Sequence, residues 1–128
     1  MTTYIPADIV PAVHAWLDGQ GLGAQVRTDV PETWTIDTGP LLIVADDGGQ
    51  TQMPIKSRLT VRLTSWAAGR TEARRIVSTA AGLLLDGRPT GVAHVHREMG
   101  GVLDARDKAT GADLASILLT VTARTVVV

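Results

Sequence analysis

Ile55-Lys56-Ser57-Arg58-Leu59-Thr60-Val61-Arg62-Leu63-Thr64-Ser65-Trp66 is the stretch that decides the fold. Leu59, Val61 and Leu63 fall on one side of an extended chain. Lys56, Arg58, Thr60, Arg62 and Thr64 fall on the other. A period of two over this length predicts a strand with one buried and one wet face. The β-branched residues suit a pleated surface, so propensity and pattern agree. Ala67-Ala68-Gly69 breaks the strand, and a helical pattern follows at once.

Working outward toward the C-terminus, Thr71 reads as an N-cap and Glu72 as a first-turn acid. Ala73, Ile76, Val77, Ala80, Leu83 and Leu84 form one apolar stripe, with Arg74, Arg75, Ser78 and Thr79 opposite. Asp86-Gly87-Arg88-Pro89 stops that helix. Residues 92–98, a Gly100-Gly101 turn and residues 102–106 read as a hairpin. In residues 114–128, Ile117, Leu119, Val121 and Ala123 alternate with Leu118, Thr120, Thr122 and Arg124. This second long strand matches the first, and the two are candidates for neighbours.

Toward the N-terminus, residues 8–17 read as a helix, with Ile9, Val13, Trp16 and Leu17 at helical spacing and Pro11 in the first turn. Gly19-Gln20-Gly21 ends it. Residues 24–28 are a short strand. Residues 29–40 form a connection with an exposed-looking Trp34. Residues 41–45 are a short apolar strand. Asp46-Asp47-Gly48-Gly49 signals a turn, so that residues 46–54 make a long hairpin loop. The sum is an α+β single domain, residues 1–128: a mostly antiparallel sheet of five or six strands with two helices packed on one face. The other face carries Lys56, Arg58, Arg62 and Arg124 and must meet water or another subunit.

Composition narrows the chemistry. The 128 residues carry a formal charge of −1, which gives no bulk reason to bind nucleic acid or membrane. No apolar run nears the length of a membrane span, and no signal peptide is visible. With no cysteine there is no disulfide, thiolate ligand or thiol nucleophile, which fits a reducing compartment. His94-Val95-His96 sets two imidazoles on one side of a strand with Glu98 in line, the start of a zinc set. Two histidines at i, i+2 are more often solvated edge residues, and no third ligand is placed. Asp46-Asp47-Gly48-Gly49 lacks the alternating acids of a calcium loop. The glycines of residues 19–23 follow a helix, the wrong context for a phosphate cradle. His14 reads as a surface or boundary histidine. No catalytic constellation emerges, and the expectation is a protein with no enzymatic activity, no cofactor and no metal.

The order of elements resembles the tail-terminator (tail-completion) proteins of long-tailed, non-contractile phages of actinobacterial hosts. The likeness is carried by Asp8-Ile9-Val10-Pro11-Ala12-Val13, then Val26-Arg27-Thr28-Asp29-Val30-Pro31, then Leu41-Leu42-Ile43-Val44 with its glycine loop. It continues in residues 58–67, in the helix opened by Thr71-Glu72-Ala73-Arg74, and in the closing residues 116–124. It covers most of the chain and rests on order, size and texture of the elements, not on an active-site motif. It implies a virion structural protein, made in the bacterial host cytoplasm and located at the head-proximal end of the tail. A homo-oligomeric, hexameric ring would cap the tail-tube protein, stop its polymerisation and meet the head-side connector or stopper protein. DNA would pass through the ring without sequence-specific binding, and no membrane is involved.

Sibling neck proteins (head closure or head–tail adaptor) are the alternative, followed by a small metal-dependent enzyme. A nucleic-acid module using Lys56, Arg58 and Arg62 is a further rival. Three phosphates neutralised would give a log–log salt slope of about −2.7. The expected interface residues are Trp34, Ile36, Asp46, Asp47, Lys56, Arg58 and Arg62. Residues 29–40 and 46–54 are expected to be assembly loops, with Trp34 and Ile36 as free apolar anchors. A cation row lining the channel would hold passing phosphates. It is therefore expected to face a neighbour, opposite Asp46, Asp47, Asp104 or Asp107.

Overall fold

The computed structural model describes residues 1–128. The stretch quoted above forms β4, Lys56–Ala67, and the second long strand forms β7, Asp113–Arg124. They are neighbours. All twelve residues of one pair antiparallel with all twelve of the other, from Lys56↔Arg124 to Ala67↔Asp113. The alternation in sequence becomes alternation in burial: Leu59, Val61 and Leu63 face a core that also takes Ile117, Leu119 and Val121. Each such side chain contributes about 1.5–3 kcal/mol by leaving water. A one-residue slip would turn all of them outward, so the pattern itself fixes the register.

Two further elements complete the sheet on one side. β3 is Leu41–Gln52 and β2 is Gln25–Arg27. β3 runs antiparallel to β4, and β2 runs parallel to β3. On the other side lie β5, Val92–Met99, and β6, Leu103–Arg106, both antiparallel to β7. The result is a six-stranded sheet in the order β2-β3-β4-β7-β5, with β6 also on β7. The helices α1, Val10–Asp18, and α2, Arg70–Asp86, pack on one face through Val13, Leu17, Ala73, Ile76, Val77, Ala80 and Leu84. The Trp16 indole donates to the Leu83 carbonyl (3.2 Å) and joins the two helices. The His14 ring donates to the Val26 carbonyl (2.8 Å), a boundary histidine that ties α1 to β2. The α+β class and the two helices on one face are as the sequence predicts.

Several expectations are corrected. Residues 46–52 are strand, not loop. β3 continues to Gln52, and the turn to β4 is confined to Met53-Pro54-Ile55, with a cis Met53–Pro54 bond. Asp46-Asp47-Gly48-Gly49 is a β-bulge within that strand: Asp46 pairs with Val61 but Gly49 with Leu59, so the β3 side carries one extra residue. Gly48 takes φ +87°, open to glycine, and a Cβ on Gly49 would collide with the Arg58 carbonyl oxygen. A bulge and a turn demand the same glycines, so composition does not separate them.

The hairpin expected over residues 92–106 is also absent. β5 and β6 lie end to end along β7, with Leu103 opposite Ser116 and Met99 opposite Leu119. The Gly100 amide bonds to the Leu118 carbonyl (3.2 Å), so Gly100-Gly101 interrupts one edge and does not reverse the chain. The cap of α2 is Gly69, not Thr71; Arg70 already lies in the helix. The chain ends pair as a separate ribbon, β1 (Tyr4–Ile5) with β8 (Val126–Val127), so the last long strand stops at Arg124.

Candidate functional site

The open sheet face is divided in two. At the end where β4 finishes, residues 29–40 fold back over the sheet. Trp34 is 4 % exposed there, against the expectation of a free anchor. Its ring meets Trp66 edge-to-face with centroids 5.8 Å apart, and its Nε1–H donates to the Gly39 carbonyl (2.8 Å). Leu41 and Ala112 are buried beside it, with Val30, Ile36, Ile43 and Leu114 around them. Ile36 is half-buried and opens a short 3-10 turn, Ile36–Thr38, closed by reciprocal Thr35–Thr38 hydrogen bonds. The connection is thus a lid with its own small core. Its apolar residues point inward because Trp66, Leu41 and Leu114 leave an apolar patch on the face opposite the helices. That pairing was legible in principle: Trp66 ends the wet side of the strand pattern, where an indole calls for cover.

The other half of this face is bare. Lys56, Arg58 and Arg124 are exposed, and none has a carboxylate within ion-pair distance. Lys56 sits directly across from Arg124, and Arg58 across from Thr122. His94 and His96 lie on the adjoining strand, their rings 4.8 Å apart and edge-to-face. His96 Nε2 shares a hydrogen bond with Thr122 Oγ1 (2.9 Å). An open groove runs between Arg58, Thr60, His96, Met99 and Leu118. Burial lowers the His96 pKa first, and the nearby charges of Arg58, His94 and Lys56 push it the same way.

Within one chain, the acidic residues expected opposite a neighbour's row have partners of their own. Asp47 pairs with Arg62 of its own chain (3.1 Å). Asp46 accepts from the Gly48 amide (2.7 Å), and its register partner is Val61, a helix-side residue. Asp107 accepts from the amide and hydroxyl of Thr110. Asp104 lies on the helix side, where Arg74 (2.9 Å) and Arg70 (3.0 Å) clamp it. The Arg74 hydrogen bond, aided by the Arg70 charge, holds its carboxyl below the usual carboxylate range. This clamp pins the edge strand β6 to α2. Sequence reading missed it because it took Arg74 for a solvated helix-face residue. Ser57 and Ser65, within the strand run, are fully buried; the Ser65 hydroxyl donates to the Ala73 carbonyl in the first turn of α2.

The structure therefore brings Lys56 and Arg58 together with Arg124 and the His94/His96 pair. It withdraws Trp34 and part of Ile36 into the lid and assigns Arg62 to Asp47. The two histidines gain no third ligand: no group of three or more His, Asp or Glu side chains is placed to share a metal ion. No helix is long and apolar enough to cross a membrane. No protein-family model matches the chain, and no curated protein matches it.

Proposed function

We propose that this chain is a virion structural protein, a tail terminator that closes the head-proximal end of a phage tail tube as a hexameric ring. The observation that carries the reading is the division of the sheet. One face is sealed by two helices, and half of the other is left as a bare, cationic, pleated surface beside the lid. A surface of that kind suits repeated packing of copies on one another and on a tube. Exposed apolar residues at the same end, Met53 and Ile55 in the β3–β4 turn and Val126 and Val127 in the terminal ribbon, add to the area a neighbour can cover. The order of elements, which resembles that family over most of the chain, gives the surface its assignment. A sibling role in the neck, head closure or adaptor, uses the same kind of surface.

The metal-enzyme reading is less well supported. Arg58 lines the same groove as His94 and His96, and a cation beside an imidazole pair disfavours a divalent ion. The test is location. Phage particles carrying an epitope-tagged chain should show label where the tail meets the head. Label along the tube, at the distal tip or nowhere on the particle would overturn the proposal.

A further inference from the structure

We propose that copies of this chain dock head to tail, the acidic lid of one copy (residues 29–40) resting on the bare basic half of the sheet of the next. The inference rests on the ring reading above and names the surfaces that meet. The lid carries Asp29, Glu32 and Asp37. Asp29 is paired with Arg27 (3.4 Å), while Glu32 and Asp37 are exposed and have no cation within ion-pair distance. The bare half offers the reverse, three exposed cations in Lys56, Arg58 and Arg124 with no carboxylate within ion-pair distance, Glu98 being the one acid that lines the same groove.

Within one copy these patches lie at opposite ends of the same face. The lid is fastened over Trp66 by the Trp34 contact, and Arg58 stands eight residues back along β4, about 26 Å away at 3.3 Å per residue. A lid held by a buried indole does not swing across that distance, so only a second copy brings the charges together. Two different patches meet, which makes the contact heterologous. Such a contact either closes into a ring or runs on as a filament. Leu118 and Met99, exposed at 39 % and 44 % beside the cations, give the contact an apolar part. Mixed-sign pairing of this kind sets register and orientation and weakens with salt.

The chain has no cysteine, so single introduced thiols report cleanly. Two full-length variants, Glu32→Cys and Arg58→Cys, are oxidised separately and as an equal mixture. Head-to-tail docking predicts a disulfide-linked dimer in the mixture only. A dimer within either variant alone signals face-to-face pairing and overturns the proposal. Charge reversal gives the second arm: Arg58→Glu, or Glu32→Arg with Asp37→Arg, should weaken self-association about tenfold or more, and the combined chain should recover it.

No recovery, with all variants folded by circular dichroism, also overturns the proposal, as does a wild-type chain that stays monomeric both free and on tails. If the basic half instead holds a polyanion, a short DNA duplex will bind wild type and the lid variant alike while copies fail to associate. The inference and the reading beneath it fail separately. Rings that form without the mixed disulfide sink only the inference. The mixed disulfide in open filaments, with no label on tails, sinks only the tail assignment.

Discussion

Arg58 and His96 share the bare half of the sheet, and their coupling is measurable. Burial first, then Arg58, His94 and Lys56, hold the His96 pKa below its ordinary value of 6.5. The folded chain therefore takes up that proton less readily than the unfolded chain. The sign follows: the stability contributed by keeping His96 neutral is fully present above the unfolded value and is lost as pH falls through it toward the folded value. A nuclear magnetic resonance titration of the His96 ring should give a midpoint below 6.5. Arg58→Gln should move that midpoint up without restoring it fully, because burial is the larger cause. An unmoved midpoint would place Arg58 too far away to matter. Trp34 supplies a second test at this scale. Removing a buried indole costs about 3–5 kcal/mol, and here the loss falls on the lid. In Trp34→Ala, amides of residues 29–40 should exchange far faster while those of β4 and β7 keep their protection. Uniform loss across the sheet would mean that the lid and the main core are one unit.

Among the elements, the β3–β4 ribbon depends on one glycine. Gly49→Ala would drive a methyl group into the Arg58 carbonyl, so the bulge must open or the register shift. We expect a loss of about 1–3 kcal/mol, the range for forcing extra volume into a packed site. Gly101→Ala is the control: nothing lies within 4 Å of its Cβ position, and denaturant midpoints should barely change. Equal effects at the two sites would contradict the bulge. Ser65→Ala should cost about 1 kcal/mol, the usual value of one hydrogen bond, by removing the donor to the Ala73 carbonyl.

The long elements were legible in the sequence because their signals repeat. Leu59-Thr60-Val61-Arg62-Leu63 states its period several times, and so does the stripe from Ala73 to Leu84. What was not legible depends on single contacts made at a distance. Gly48-Gly49 reads alike as turn or bulge until Val61 and Leu59 are known to be its partners. Gly100-Gly101 reads as a reversal until Leu118 offers its carbonyl. Of the candidate site, the cation row was visible by alternation alone. The burial of Trp34 had one cue, the indole of Trp66 on the wet side, while Leu41 and Ala112, which complete its cover, are scattered along the chain.

For the molecule as a whole, sheet and helices build a body with one sealed face and one face split between an acidic lid and a basic ledge. On the proposed function, copies of this chain repeat around the end of a tail tube and halt its growth. The most direct measurement is the length of tails made when a phage genome lacks this chain, read by electron microscopy. A tail terminator's absence should leave tubes of uncontrolled length without heads, restored to uniform, head-bearing tails when the chain is supplied in trans. Uniform tails joined to heads in its absence would contradict it.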